Sequence, residues 1–340
     1  MKRLLAWLGR RWLLVAATIA FLVLVILQLG NLELLGATLI RGIWQWLLVA
    51  ALLQVAYYLF YAYQYELGFA AVEVASRWVE LVPVMFASIF LTTIVPSGGV
   101  SSLAVFVDDA ARRGQSSARA AEGALLVLIA DLVTIAPFVA YGLAYLSLRG
   151  VLQVYQVIGV IALLVFTLGL AAAILLGRWF PEQLRSFFEW LETTANWLAR
   201  LVRHPPLVPP DWSERQARDY VGAARHIGDH PRELTCTLLL ALGLKVVNLA
   251  SLFAVALAYH ELVSVGAATA AFVMDYVFSI VVVIPQGLGV AEGILALVFT
   301  DLGVPPANAL AISIVYRGLN VWVPLFIGFL FLRYVRSFGR

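Results

Sequence analysis

Six stretches of this chain, 12–29, 43–63, 120–147, 152–176, 234–258 and 307–332, are each apolar over the length a helix needs to cross hydrocarbon. A bilayer core of about 30 Å takes roughly 20 helical residues. Backbone in lipid must satisfy its own hydrogen bonds, so a chain made of such stretches is confined to a bundle of spanning helices. The residue usage agrees, with 63% hydrophobic and only 13% charged residues, far from a soluble domain. Cys236 is the single cysteine, which excludes an internal disulfide and a cysteine-based metal site. The basic balance is read as membrane orientation rather than nucleic-acid binding. The stretch 12–29 follows Lys2, Arg3, Arg10 and Arg11; with no small-residue cleavage site after it, it is read as a retained span, not a signal peptide.

Two further apolar stretches, 81–107 and 263–300, are interrupted by Pro96-Ser97-Gly98-Gly99 and by Pro285-Gln286-Gly287-Leu288-Gly289. Proline removes a donor and glycine favours non-helical backbone, so neither stretch is expected to run through as one helix. Positive charge sets their topology. With the N-terminus inside, a re-entrant hairpin at 81–107 keeps Arg112, Arg113 and Arg119 in the cytoplasm, together with the eight arginines of 178–233. The same parity at 263–300 returns Arg333, Arg336 and Arg340 to that side; a pair of tilted full helices there gives the same count. The expected fold is an all-α polytopic membrane protein with six transmembrane helices plus two opposed re-entrant helical hairpins related as an inverted repeat. It forms one domain over 1–338. Within it, 178–233 is a cytoplasmic connector carrying an amphipathic helix with Phe187, Phe188 and Leu191 opposite Arg185, Glu189 and Glu192. That helix lies either in the headgroup plane or against span ends.

The repeat rests on a 189-residue shift that places Pro96 on Pro285, Gly98 on Gly287, Gly114 on Gly303, Ala118 on Ala307 and Ala120 on Ala309. Inverted repeats with matching helix breaks point to a transport site near the bilayer midplane. Half-helix ends leave backbone N–H and C=O groups that lipid cannot meet, so protein, water or a passing headgroup must do so. Candidate substrate-binding residues are therefore Pro96, Ser97, Gly98 and Gly99 at one break, and Pro285, Gln286, Gly287 and Gly289 at the other.

Charged and amide side chains inside the spans extend the set. A mid-membrane charge costs about 2.5–3.5 kcal/mol, so it faces a partner or a wet cavity. Glu292 and Arg317 are expected to converge on one cavity, as a headgroup contact or as a structural ion pair. Lys245, with Asn248 on the same helix face, is too deep to snorkel and is assigned Asp275 or Glu292 as partner. The shift sets Asp131 against Asn320, and Leu128 where Arg317 has its counterpart, so the first half lacks the matching cation. Asp108, Asp109, Arg112 and Arg113 read as a solvated hairpin foot. His226, Asp229 and His230 precede Pro231 and make no metal site. No nucleotide loop, nucleophile elbow or His-Glu-x-x-His motif occurs, so no catalytic residue, cofactor or enzyme activity is expected.

The segments IVPSGGVSS and VVVIPQGLGVAEGILALVFTDLGVPPANALAISIVYRGLN resemble the two signature regions of the lysylphosphatidylglycerol synthase transmembrane, or flippase-like, family. The second resembles the family pattern at Pro285, Gly287, Gly289, Glu292, Gly303, Val304, Pro305, Tyr316 and Arg317. The resemblance implies lipid translocation by a stand-alone transmembrane unit without aminoacyl transfer, since no synthase segment follows Arg340 in this sequence. The absence of a cation at Leu128 argues against a symmetric two-cation headgroup site. Expected partners are membrane lipids as substrate, a separately encoded lipid-modifying enzyme and a second copy of the chain; nucleic acid is not among them. The expected location is the bacterial inner membrane, with both termini cytoplasmic. A membrane-embedded transferase or transferase subunit acting on lipid-linked sugars, and a small-solute carrier, are the alternatives.

Overall fold

The computed structural model describes residues 41–94, 100–179, 231–282 and 284–331, with short helical pieces between 182 and 214. The expected span 12–29, the break residues Pro96, Ser97, Gly98 and Gly99, and most of the connector lie outside the described residues. Everything described is helix or its connections. In chain order the helices are α1 (Trp44–Ala70), α2 (Trp78–Ile94), α3 (Val100–Arg112), α4 (Ser117–Thr134), α5 (Ala136–Leu148) and α6 (Val154–Trp179). After the connector come α7 (Pro231–Ala258), α8 (Val265–Val281), α9 (Val290–Asp301), α10 (Pro306–Arg317) and α11 (Val323–Phe331). Four stretches among these are long and apolar enough to cross a membrane: Trp44–Ala70, Arg119–Leu148, Pro231–Ala258 and Pro306–Phe331. Shorter apolar helices cover Trp78–Thr93, Val154–Leu170 and Val265–Val281.

Prolines shape two of the long stretches. Pro137 has no N–H for the ladder, and the helix is interrupted at Ile135 between α4 and α5. Pro324 likewise cannot bond the Asn320 carbonyl. A five-residue π turn, Gly318–Trp322, forms just before it, with Val323 N–H reaching back to Gly318 O. The orphaned Asn320 carbonyl is taken by the Tyr58 hydroxyl of α1 at 2.7 Å. Side-chain caps fix other starts: Ser116 accepts from Arg119 N–H, and Ser264 from Ala267 N–H at 3.1 Å.

Moving α1 to α5 along by 189 residues brings their starts to within two residues of those of α7 to α11, with α6 left over. α1 would start at 233 against Pro231, α2 at 267 against Val265, α3 at 289 against Val290, α4 at 306 against Pro306 and α5 at 325 against Val323. The packing follows the same pairing. α2 lies on α3 as α8 lies on α9, α3 on α4 as α9 on α10, and α2 on α11 as α8 on α5. α1 and α7 pack on each other and run antiparallel: Ile43 N–H bonds Ala258 O at 2.9 Å, Gln54 bonds Asn248 at 2.7 Å, and Ser251 bonds Ala50 O at 3.2 Å.

Two apolar cores result. One gathers α5, α8, α9 and α10, the last half of α7 and part of α6, around Phe272, Phe299 and Tyr316. The other gathers the second half of α1, α2, α3 and the start of α4 with Trp322 and Leu325, around Phe69, Phe90 and Phe106. α4 passes from one core to the other: Ala120, Ala124 and Val127 belong to the second, and Leu132 and Ile135 to the first. Asp131 lies at the crossing. Lys245 and Arg317 are likewise near the middle of their long helices, so the charged side chains form a layer between the two cores.

Candidate functional site

The site is built around the second helix break. α8 ends at Val281, a 3₁₀ turn covers Pro285–Gly287, and α9 begins at Val290. The reversal needs left-handed backbone at Gln286 (φ 51°), Gly287 (φ 61°) and Gly289 (φ 83°). At Gly287 a side chain has no room, because a Cβ would stand 2.7 Å from the Phe278 carbonyl oxygen.

Several polar groups of this break are met by the protein. Glu292, in the first turn of α9, accepts from Gly289 N–H at 2.7 Å, where a carboxylate also suits the positive end of the helix. Arg317 Nη2 donates to the Gln286 carbonyl at 2.6 Å and Nη1 to Ser279 Oγ at 2.9 Å. The same guanidinium faces Glu292 at 3.2 Å and Asp275 at 3.5 Å. Arg317 is 1% exposed, and one buried cation therefore serves two carboxylates and a helix end. Glu292 and Arg317 thus meet, but only Arg317 lines the cavity described below; Glu292, Gly287 and Gly289 are not among its lining residues.

Lys245 is not held by Asp275 or Glu292, the partners expected from the sequence. α7 packs against α4, and the ammonium group is ion-paired with Asp131 and lies 4.2 Å from the centre of the Tyr276 ring. Tyr276 completes the set by donating its hydroxyl to Asp131 Oδ2 at 2.7 Å. Asp275 is turned toward α10 and Arg317. The cation missing from the position of Leu128 is thus supplied to Asp131 from another helix. Asn248 accepts from Gln54, and Asn320 carries the Tyr58 contact already described.

A cavity of about 460 Å³ opens within this layer, inside the size range of small-molecule sites. Asp131, Lys245, Asn248, Asp275, Gln286, Arg317 and Asn320 line it, with Ser88, Thr92 and Thr93 of α2 opposite. Sequence reasoning missed its aromatic wall: Tyr57, Tyr58, Tyr61 and Tyr65 from α1, with Tyr276 and Tyr316. The signal was present, since Tyr57, Tyr61 and Tyr65 recur every fourth residue and so share one helix face. Tyr57 stacks on Tyr61 with ring centres 5.8 Å apart. No group of three or more His, Cys, Asp or Glu is arranged to hold a metal ion among the described residues.

Comparison with curated proteins and with solved structures returns no match. Comparison with protein families matches residues 12–328, nearly the whole chain, to the lysylphosphatidylglycerol synthase TM region, and the chain belongs to that family.

Proposed function

We propose that this protein moves polar-headgroup lipids between the leaflets of the bacterial inner membrane. The headgroup passes through the layer between the two cores while the acyl chains stay in the bilayer. The observation that carries this reading is the cavity of about 460 Å³ placed halfway along the long helices and walled by Asp131, Lys245, Asp275 and Arg317. Charged side chains are costly at that depth and gather where something polar must pass. Family membership supports a membrane-lipid role.

The arrangement of the two helix pairs supports alternating access. Arg113 to Glu80 at 3.8 Å and Arg119 to Glu73 at 3.0 Å bring the feet of α2–α3 together beside the end of α1. Asn308 to Glu261 at 2.7 Å and Tyr145 to Ser264 at 2.8 Å gather the starts of α8 and α10 and the end of α5 beside the end of α7. Because α1 and α7 are antiparallel, these feet belong to opposite faces. This is what two opposed re-entrant hairpins in an inverted repeat require. With Arg112, Arg113 and Arg119 inward, both termini are cytoplasmic. We take the protein to act without covalent chemistry on the lipid, alone or as a homodimer, and alongside a separately encoded lipid-modifying enzyme.

The test is a leaflet-exchange assay on proteoliposomes with fluorescent-tailed lipids, in which externally added reductant bleaches only outer-leaflet probe. Bleaching beyond the outer-leaflet fraction with the lipid recovered unaltered supports the reading. Bleaching that stops at that fraction, or chemical conversion of the lipid, contradicts it.

A further inference from the structure

The cations that an anionic headgroup would seek line the cavity, but the protein's own carboxylates are already paired with them. Lys245 is neutralised by Asp131, and Arg317 by Glu292 and Asp275. The N-terminus of α9, the other anion-attracting element, is capped by Glu292. With these groups ionised, three carboxylates face two cations.

The hydrogen-bond inventory points the same way. Tyr58 donates to Asn320 O, Tyr276 to Asp131, and Arg317 to Ser279 and Gln286. Ser88 and Thr93 spend their hydroxyl protons on the carbonyls of Met85 and Ile89, which leaves their oxygens as acceptors. The Asn248 amide and the Tyr57 hydroxyl remain able to donate, and Arg317 Nε faces Glu292 at 3.2 Å without a hydrogen bond, while the Tyr61 hydroxyl is bonded with Tyr65. Against these stands Asp275, which lines the cavity, is 3% exposed and has an Oδ1 atom with no hydrogen-bond partner. Its 3.5 Å contact with Arg317 is an ion pair without hydrogen-bond geometry. A buried carboxylate oxygen left in this state costs free energy until a donor reaches it. An ionised phosphodiester has only acceptors and brings a second negative charge to it.

Resting on the reading that a lipid headgroup enters this cavity, we propose that Asp275 is its acceptor. On this account the cavity favours the O–H or N–H donating end of a headgroup over its phosphate. A polyol and a primary amine share that chemistry; a bare phosphate monoester brings Asp275 further negative charge, and a quaternary ammonium has charge but no proton to donate.

The experiment measures binding of short-chain lipids to the full-length protein in detergent, followed by tyrosine and tryptophan fluorescence, with leaflet exchange of the same four headgroups read separately. Polyol or primary-amine probes are expected to bind at least about tenfold more tightly than the bare-phosphate and quaternary-ammonium probes. Whichever of the first two binds better identifies the donor. Asp275→Asn is expected to reduce that preference about tenfold, with folding followed by thermal unfolding. Phosphate binding as well as the donor probes, or quaternary ammonium matching primary amine, overturns the proposal; both readings come from the wild type and need no variant. An unchanged preference in folded Asp275→Asn also overturns it. Selective binding without leaflet exchange would count against translocation and leave the acceptor assignment standing.

Discussion

Arg317 shows how one buried side chain holds several elements at once. It touches Ser279 and Gln286 by hydrogen bonds and Asp275 and Glu292 by charge. Removing it strands two carboxylates and a carbonyl, and breaking a buried pair from one side costs about 3–5 kcal/mol. Arg317→Met is therefore expected to lower thermal stability sharply as well as abolish exchange, whereas Glu292→Gln keeps an acceptor for Gly289 N–H and costs about 1 kcal/mol; unfolding in detergent separates the two. Lys245→Met should likewise destabilise by stranding Asp131, and adding Asp131→Asn should restore part of the loss. A double variant no more stable than Lys245→Met would show the pair is not coupled. The Glu292–Arg317 meeting was legible in the sequence because both are charged residues within apolar stretches, on helices that follow one another across the short turn at Gly303. The Lys245–Asp131 pair was not, because its partners come from helices separated by the whole connector, and nothing in local spacing says that α7 lies on α4.

At the scale of elements, the sequence showed where helices end but not every place where they bend. Pro285 and its glycines stop α8 as composition demands, and the structure supplies the left-handed turn they allow. The expected span 120–147 instead divides at Ile135, and the last span carries a π turn; both follow from prolines whose neighbours could have continued as helix. Substitution separates glycines that serve the turn from those that fill space. Gly287→Ala meets the Phe278 carbonyl at 2.7 Å and also places a side chain in left-handed backbone, which alone costs about 1–2 kcal/mol. Gly169→Ala meets nothing within 4 Å and should be neutral or slightly stabilising within its helix. Gly142, an ordinary span glycine by sequence, would bring a Cβ to 3.3 Å from Ala270 Cα where α5 crosses α8 and should fall between them. Equal melting temperatures for the three variants would refute this account of the break.

Across the whole molecule, α1 to α5 start within two residues of where the 189-residue shift sets α7 to α11, while α6 has no counterpart and the packing of the two sets is unequal. α4 lies along α7, whereas their counterparts α10 and α1 are joined mainly by the π turn at Tyr58 and Asn320. On the proposed alternating-access reading, rocking of two inverted halves exchanges such inequalities, so an opposite-facing state should part Lys245 from Asp131 and draw α1 toward α10. Spin labels at the exposed positions Val133 and Val246 should separate as labels at Leu59 and Leu310 approach, under conditions that drive exchange; a fixed distance in both pairs would speak against rocking. The composition made the membrane bundle and the shift of 189 readable, since both depend on periodic apolar residues and helix breakers. The inequality between the halves depends on side chains far apart in the chain and needed the structure. The most direct measurement of whether headgroups pass between the two cores is to plug that space. In a Cys236→Ser background, Thr92→Cys places a thiol on the cavity wall, and exchange is followed before modification, after a bulky thiol reagent and again after reduction. The account predicts that exchange is lost on modification and regained on reduction; exchange that continues unchanged with the cavity filled would contradict it.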